Sequence, residues 1–409
     1  MYPRFVGGTV KEIMAFMPAT VIQGARQVGK STLAQLIAET TPSKIISLDD
    51  PIMRSEAMND LAGFAGAYPE GLLVIDETQR VPELIVPIKA NIDKDRRPKR
   101  FLLTGSADLL QVKGVGDSLA GRAISIELMP LSQGEIARRS TPEDFVTWIL
   151  GDAENTQFDA LGEQTIIKGG YPDVLSLSAR QKHMWFDSYI ARLADHDARE
   201  LRSRGYADQF ADLLTYIAAS GQSEIIKATL AKHLGIDQGT ADAYLRLART
   251  MRLTYQLQPW NQQPLRRVTR RSKTCLIDTG LAAALTHFTE AKAKELGARE
   301  YYGSLVEQFA VLELAKQQTW TKKPFHLYHF RNLDGLEVDI VIETDDGDLL
   351  AIEVKATTTP IGRHWKNLVT FKKLFPDRDI TGILLHTGTF ATTLNGWLHV
   401  LPITSLWQH

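Results

Sequence analysis

One cysteine in 409 residues, Cys275, leaves no partner for an intrachain disulfide and too few thiols for a metal cluster. That usage fits a reducing compartment, and a cytoplasmic protein is expected. Charge of one sign is also missing. Lys and Arg number 47 and Asp and Glu 48, a net charge of −1, so the chain has no global attraction for nucleic acid or for a membrane surface. Any such binding must come from a local patch. No apolar run approaches the length of a bilayer span. The first twenty residues, MYPRFVGGTVKEIMAFMPAT, scatter their charges and lack a compact apolar stretch before a small-residue cleavage site. What remains is globular in composition, 44% hydrophobic and 23% charged, and long enough for two to four domains.

The most informative stretch is GARQVGKST, residues 24–32. It fits G-x-x-x-x-G-K-[ST], with Gly24, Gly29, Lys30 and Ser31 at the fixed positions and Ala25, Arg26, Gln27, Val28 and Thr32 completing the candidate nucleotide-binding loop. Glycines let such a loop curl so that its N–H groups aim at phosphates. Lys30 would reach the β- and γ-phosphates, and Ser31 would ligate Mg²⁺. TVIQ before the loop reads as a short buried strand, and STLAQLIAET after it as a helix whose positive end faces the nucleotide. The plain alternative is a glycine turn ahead of a helix.

Strands and helices alternate over residues 1–135, which predicts an α/β fold with a parallel sheet. KIISLDD is a second strand. GLLVIDETQR carries four apolar residues into Asp76 and Glu77, so a buried strand delivers an acidic pair to the sheet edge where ligands bind. Asp76 would hold Mg²⁺, and Glu77 would polarise the attacking water. KRFLLTGSADLL is a third apolar strand; Thr104 or Ser106 at its end either senses the γ-phosphate or caps the next helix.

In order, GARQVGKST, SLDDP, VIDETQR, FLLTGSADLL and SLAGRAISIELMPLSQGE resemble a group of prokaryotic AAA-family ATPases whose C-terminal half is a domain of unknown function. The resemblance implies ATP as cofactor and an arginine that completes the site from a neighbouring subunit or domain, hence a possible homo-oligomer. Arg122 in LAGR and Arg80 in ETQR are the candidates. Pairing with a carboxylate is the plainer fate of either. It also implies a helical lid over 136–205, with the turn Gly169-Gly170-Tyr171-Pro172 behind the nucleotide; a turn without nucleotide contact is the alternative.

Residues 206–290 read as a winged helix: a helix, then IIKATLAKHLGIDQGTADAYLRLARTMRL as helix, turn and helix with Asp237 as cap, then LTYQLQPW and PLRRVTRRSK as wing strands. Arg266, Arg267, Arg270, Arg271 and Lys273 form a basic run suited to a nucleic-acid backbone, or equally to packing on an acidic neighbour. CLIDTGLAAAL follows as a buried strand and capped helix.

Residues 291–409 change character, with a helix YYGSLVEQFAVLELAKQQ, three successive strands, a helix and further strands. Strict alternation would place Glu337, Asp339 and Val341 on one face of the middle strand, and Glu353 with Lys355 on one face of the next. A hairpin then gathers Asp339, Glu353 and Lys355. That pattern is similar to the PD-(D/E)xK nuclease fold, a restriction-endonuclease-like α/β domain, although no proline precedes Asp339. The resemblance implies metal-binding Asp339 and Glu353, a further carboxylate Glu307 from the preceding helix, and Lys355 acting on the water. The expected function is thus Mg²⁺-dependent ATP hydrolysis serving DNA with structured or broken ends. The alternative is an ATP-controlled protein-interaction switch whose nuclease-like module is inactive.

Overall fold

Short aliphatic runs separated by helices build the N-terminal sheet. Its strands are β1 (Ala19–Gln23), β2 (Ser43–Ser47), β3 (Leu72–Asp76), β4 (Phe101–Gly105) and β5 (Ala123–Glu127). They lie in the order β2-β3-β4-β1-β5, every neighbouring pair parallel. This is seen in a computed structural model that describes residues 1–106, 119–151, 157–197, 206–269 and 271–409. Parallel neighbours need crossover connections, which is why a helix follows nearly every strand. β1 and β4 are buried throughout and β3 up to Asp76, as their unbroken apolar runs require. One face packs Val21, Leu73, Ile75 and Leu103 against Phe64, Ile85, Ile88 and Ile92 of the helices Leu61–Ala65 and Ile85–Lys94. β4 lies between β1 and β3, so Thr104 stands between the loop after β1 and the acids after β3.

The described residues divide into two units, Met1–Leu131 with Arg249–Leu253, and Ser132–Ala248 with Thr254–His409. The second holds β6 (Ser223–Glu224), β7 (Thr254–Pro259), β8 (Lys273–Leu276), β9 (Phe325–Arg331), β10 (Glu337–Thr344), β11 (Leu349–Lys355), β12 (Ile380–His386), β13 (Thr392–Leu394) and β14 (Leu398–Pro402). They form one mixed sheet in the order β13-β14-β12-β11-β10-β9-β7-β8-β6. Trp260, Phe330, Val338, Val341, Leu368 and Phe371 pack together against it.

Ahead of β7 come the helices Tyr206–Ser220, Lys227–Leu234 and Gln238–Thr250. Asp237 caps the last, accepting from Thr240 N–H at 3.0 Å. β7 and β8 pair antiparallel, but PLRRVT, expected in a strand, is the helix Pro264–Thr269. Pro264 opens it, a position where fixed φ and a missing N–H cost nothing. β7 also pairs with β9, so one sheet runs through both 206–290 and 291–409. Both stretches, together with 136–205, fall in the second unit apart from Arg249–Leu253. No described helix is long and apolar enough to cross a membrane.

Candidate functional site

In the first unit the loop after β1 is held by backbone geometry that only small residues allow. A Cβ on Gly24 would stand 2.2 Å from Leu128 O, so the loop can approach the end of β5 only with glycine there. Gly29 has φ +96° and begins the helix Lys30–Ala38. Gln27 is left-handed as well, with φ 61°, a strain that marks functional loops. Arg4 ties the loop down by donating to Val28 O at 2.7 Å and Met129 O at 2.6 Å. Lys30 is buried and curls back, its Nζ donating to Ala25 O at 2.9 Å and Gly24 O at 3.2 Å. Burial lowers its pKa, opposed by Glu77 and Asp76.

The acidic pair closes on this loop. Ser31 Oγ donates to Asp76 Oδ1 at 2.9 Å, and Thr104 Oγ1 donates to the same oxygen. Ser47 Oγ lies 3.4 Å from Asp76 Oδ2. Glu77, left-handed at φ 56°, donates its N–H to Thr104 Oγ1 at 3.1 Å. Ser31, Asp76, Glu77 and Thr104 therefore meet at one sheet edge. A hydroxyl and a carboxylate oxygen side by side suit Mg²⁺, which takes few protein ligands and completes its shell with phosphate and water. Gln79 was not singled out from the sequence. Its Nε2 donates to Glu77 Oε2 and, at 3.0 Å, to Ser106 Oγ, so it fixes the carboxylate that faces the loop. Its place in ETQR, two residues after Glu77, was the available signal. Arg252 was also missed: it donates to Gln23 Oε1 at 2.9 Å and Glu127 Oε2 at 3.1 Å.

Both candidate arginines are paired inside the unit. Arg80 meets Asp49 at 3.1 Å, and Arg122 grips Asp93 at 2.6 and 3.0 Å. Ala19 N–H donates to Arg122 O, which puts Arg122 at the opposite sheet edge from its own loop, ~16 Å away for five extended residues. It does not serve the loop of its own chain.

In the second unit, a β-bulge decides the geometry. Between β10 and β9 the register runs Val338↔Phe330 and then Val341↔Tyr328, so one extra residue sits in β10 at Asp339–Ile340. Strict alternation fails there: Val338 and Val341 share one core. The β10–β11 ladder begins at Ile340↔Ile352, and Asp339 instead accepts Val354 N–H through its side chain at 2.9 Å. Lys355 Nζ lies 3.3 Å from Asp339 and 2.6 Å from Glu353. Asn367 reaches Glu353 at 3.4 Å. The expected trio is brought together, with Glu307 beside it on the helix Arg299–Gln317. Glu307, however, is held by Lys273 at 3.0 Å, and Lys273 also meets Glu337 at 2.8 Å.

Burial, then the nearby Asp339 charge, pushes Glu307 up to about 7 and Glu353 up to about 8. For Lys273 and Lys355 burial pulls the pKa down, but the surrounding carboxylates outweigh it and hold both above the ordinary lysine value. The two raised glutamates favour the fold in their protonated form. That contribution is complete below the ordinary glutamate value of 4.5 and is lost as pH rises through about 7 and about 8. Thermal unfolding of the nucleotide-free chain should therefore show stability falling from about pH 4.5 to about pH 8. Glu353→Gln should flatten that fall; an unchanged pH profile in the variant would refute this assignment.

As arranged, the cluster does not fit a divalent metal. Among the described residues no group of three His, Cys, Asp or Glu side chains is placed to hold one. Of the expected set of Glu307, Asp339 and Glu353, the bulge turns Asp339 onto a backbone N–H and Lys355, while Lys273 takes Glu307. Of the two readings of the basic run, packing on acidic neighbours is what two of its residues do. Lys273 is buried in these ion pairs, and Arg267 is committed to Glu343 at 2.7 Å, Asn261 O at 2.6 Å and the ring of Tyr328. Arg266 and Arg271 are exposed; Arg270 lies outside the described residues.

Residues 17–137 match the family described as AAA domain, residues 160–292 a domain of unknown function (DUF8612) and residues 302–406 another (DUF4143). An uncharacterized protein of Mycobacterium tuberculosis is 29% identical over 347 residues, covering 84% of this chain and 71% of the relative. A Mycobacterium bovis protein, also uncharacterized, matches to the same extent. Among solved structures the chain is similar to the Walker-type ATPase paby2304 of Pyrococcus abyssi, at 15% identity and TM-score 0.44, covering 70% of this chain and 96% of that one. It is also similar to AMPPCP-bound DnaA from Aquifex aeolicus, at 17% identity and TM-score 0.29, covering 60% and 85%. The RuvB Holliday junction branch migration motor of Thermotoga maritima matches at 16% identity and TM-score 0.30, covering 66% and 90%. The first unit has an AAA-type P-loop ATPase fold, followed by a mixed-sheet C-terminal unit.

Proposed function

We propose that this chain binds and hydrolyses ATP with Mg²⁺. The observation that carries the reading is the convergence of Ser31, Asp76, Glu77 and Thr104 beside the loop 24–32. Ser31 and Asp76 would hold Mg²⁺, which neutralises phosphate charge when bound. Lys30 would leave the Gly24 and Ala25 carbonyls for the β- and γ-phosphates. Glu77 would take the proton of the attacking water, with Thr104 keeping its backbone in place. Arg122, paired at the far sheet edge, would serve the site of a second copy in a homo-oligomer. The single buried Cys275 supports a cytoplasmic setting. Lys30→Ala should weaken ATP binding at least ~10-fold and abolish turnover, because one charge-assisted phosphate contact is lost. Fluorescent-nucleotide titration and phosphate release measure both, and turnover at the wild-type rate would sink the assignment.

The second unit would carry the work done with that hydrolysis. Three helices followed by the pair β7 and β8 support a winged-helix reading, and the bulged hairpin with Asp339, Glu353 and Lys355 supports a nuclease-like one. DNA with structured or broken ends is the proposed partner, contacted by Arg266 and Arg271. Only these two of the described basic-run residues are exposed. Binding to a branched duplex should then be weak and fall only about tenfold between 50 and 200 mM salt, with about two counterions released. The competing reading is an ATP-controlled protein-interaction switch with an inactive nuclease-like module. The inward-turned Lys273 and Arg267 favour it on the question of cleavage. Salt-insensitive or absent DNA binding would decide for the switch.

A further inference from the structure

The acidic cluster of the second unit contains four carboxylates, and each touches an ammonium of this same chain. Lys355 serves Asp339 and Glu353; Lys273 serves Glu307 and Glu337. The two lysines differ in freedom. Lys355 ends β11 with 35% of its side chain exposed, whereas Lys273 begins β8 with 8% exposed. Lys273 is also fixed by its backbone: β8 is paired on both sides, Lys273 opposite Leu257 of β7 and Glu224 of β6. Its ammonium therefore stays among the carboxylates without any diffusing ion. A divalent ion needs several oxygens converging at about 2.0–2.6 Å. Here the oxygens surround nitrogen at 2.6–3.3 Å. An incoming cation that drew Glu307 and Glu337 in beside Asp339 would have to displace Lys273 from both and leave its ammonium buried without a partner, which is more costly than the pairs it replaces.

We propose that Lys273 is the resident counter-ion of this cluster and closes it to divalent metal, so that the second unit uses a nuclease-like scaffold for binding and not for hydrolysis. This rests on the nuclease-like reading of that unit. It also assigns Lys273 to a buried ion-pair site and removes it from the DNA-facing surface.

The test is a Mn²⁺ titration of the full, nucleotide-free chain, with free Mn²⁺ followed by electron paramagnetic resonance. Wild type should show no Mn²⁺ site that disappears in Asp339→Asn. Lys273→Met should gain one site of millimolar affinity or better, and Lys273→Met with Asp339→Asn should lose it again. Lys273→Met with Glu337→Gln removes one charge of each sign and should show the same gain if the single variant folds poorly. A wild-type Mn²⁺ site abolished by Asp339→Asn overturns the proposal. So does the absence of any gain in both Lys273 variants, since something other than Lys273 would then exclude the metal. Failure of the chain to bind DNA would strike the earlier reading and leave this titration unaffected.

Discussion

Glu77→Gln is expected to lower ATP turnover roughly 10²–10⁴-fold, the range for losing a positioned general base, while ATP binding stays within about twofold of wild type. The substitution keeps shape and hydrogen-bonding capacity, so the backbone bond from Glu77 N–H to Thr104 and the contact with Gln79 can persist. Only the ability to accept a proton is removed. The effect should fall on kcat and not on binding, because the interaction is made with the water in the transition state. Lys30→Ala gives the opposite division, with binding lost first. Phosphate release under saturating ATP, with a parallel nucleotide titration, separates the two. A Glu77→Gln protein that turns over at a third or more of the wild-type rate would remove Glu77 from the chemistry. Gln79 adds a control: its amide joins Glu77 to Ser106, so Gln79→Ala should alter the rate with no change in the amount of ATP bound.

The first unit was largely legible because its signals are local. GARQVGKST declares a loop, a strand before it and a helix after it. An uninterrupted apolar run ending in two acids can only be a buried parallel strand reaching the ligand edge. Position between strands is not local, and nothing in FLLTG announces that β4 separates β1 from β3. In the second unit, alternation brought Asp339, Glu353 and Lys355 together correctly but missed the bulge that re-aims Asp339, since one extra residue leaves composition unchanged. The basic run left two readings open for a related reason. RRSK suits a nucleic-acid backbone and an acidic neighbour equally until a strand begins at Lys273 and carries it inward toward Glu307, which lies 34 residues further along the chain.

Asp278→Ala is expected to destabilise the second unit by about 3–5 kcal/mol, because two buried backbone donors lose their acceptor at ~1–3 kcal/mol each and a void is left. Asp278 joins two segments whose roles the sequence did not disclose. It caps the helix Thr279–Leu285 by accepting Leu281 N–H at 2.8 Å, and it accepts Gly170 N–H at 2.7 Å from the turn Gly169-Gly170-Tyr171-Pro172. The helix Glu163–Lys168 runs into that turn, and Thr279 Oγ1 donates to Ile166 O at 2.7 Å, so the same few residues staple it twice. Burial raises the Asp278 pKa against the pull of these N–H donors, so its charged form is disfavoured. Asp278→Asn keeps an acceptor oxygen and sheds that charge, so it should lose less than about 1.5 kcal/mol. Amide exchange reads the difference directly. In Asp278→Ala the amides of Gly170 and Leu281 should exchange ~100-fold faster or more, and in Asp278→Asn by much less. Equal acceleration in both variants would mean that the carboxylate charge, and not its acceptor geometry, holds the turn to the helix.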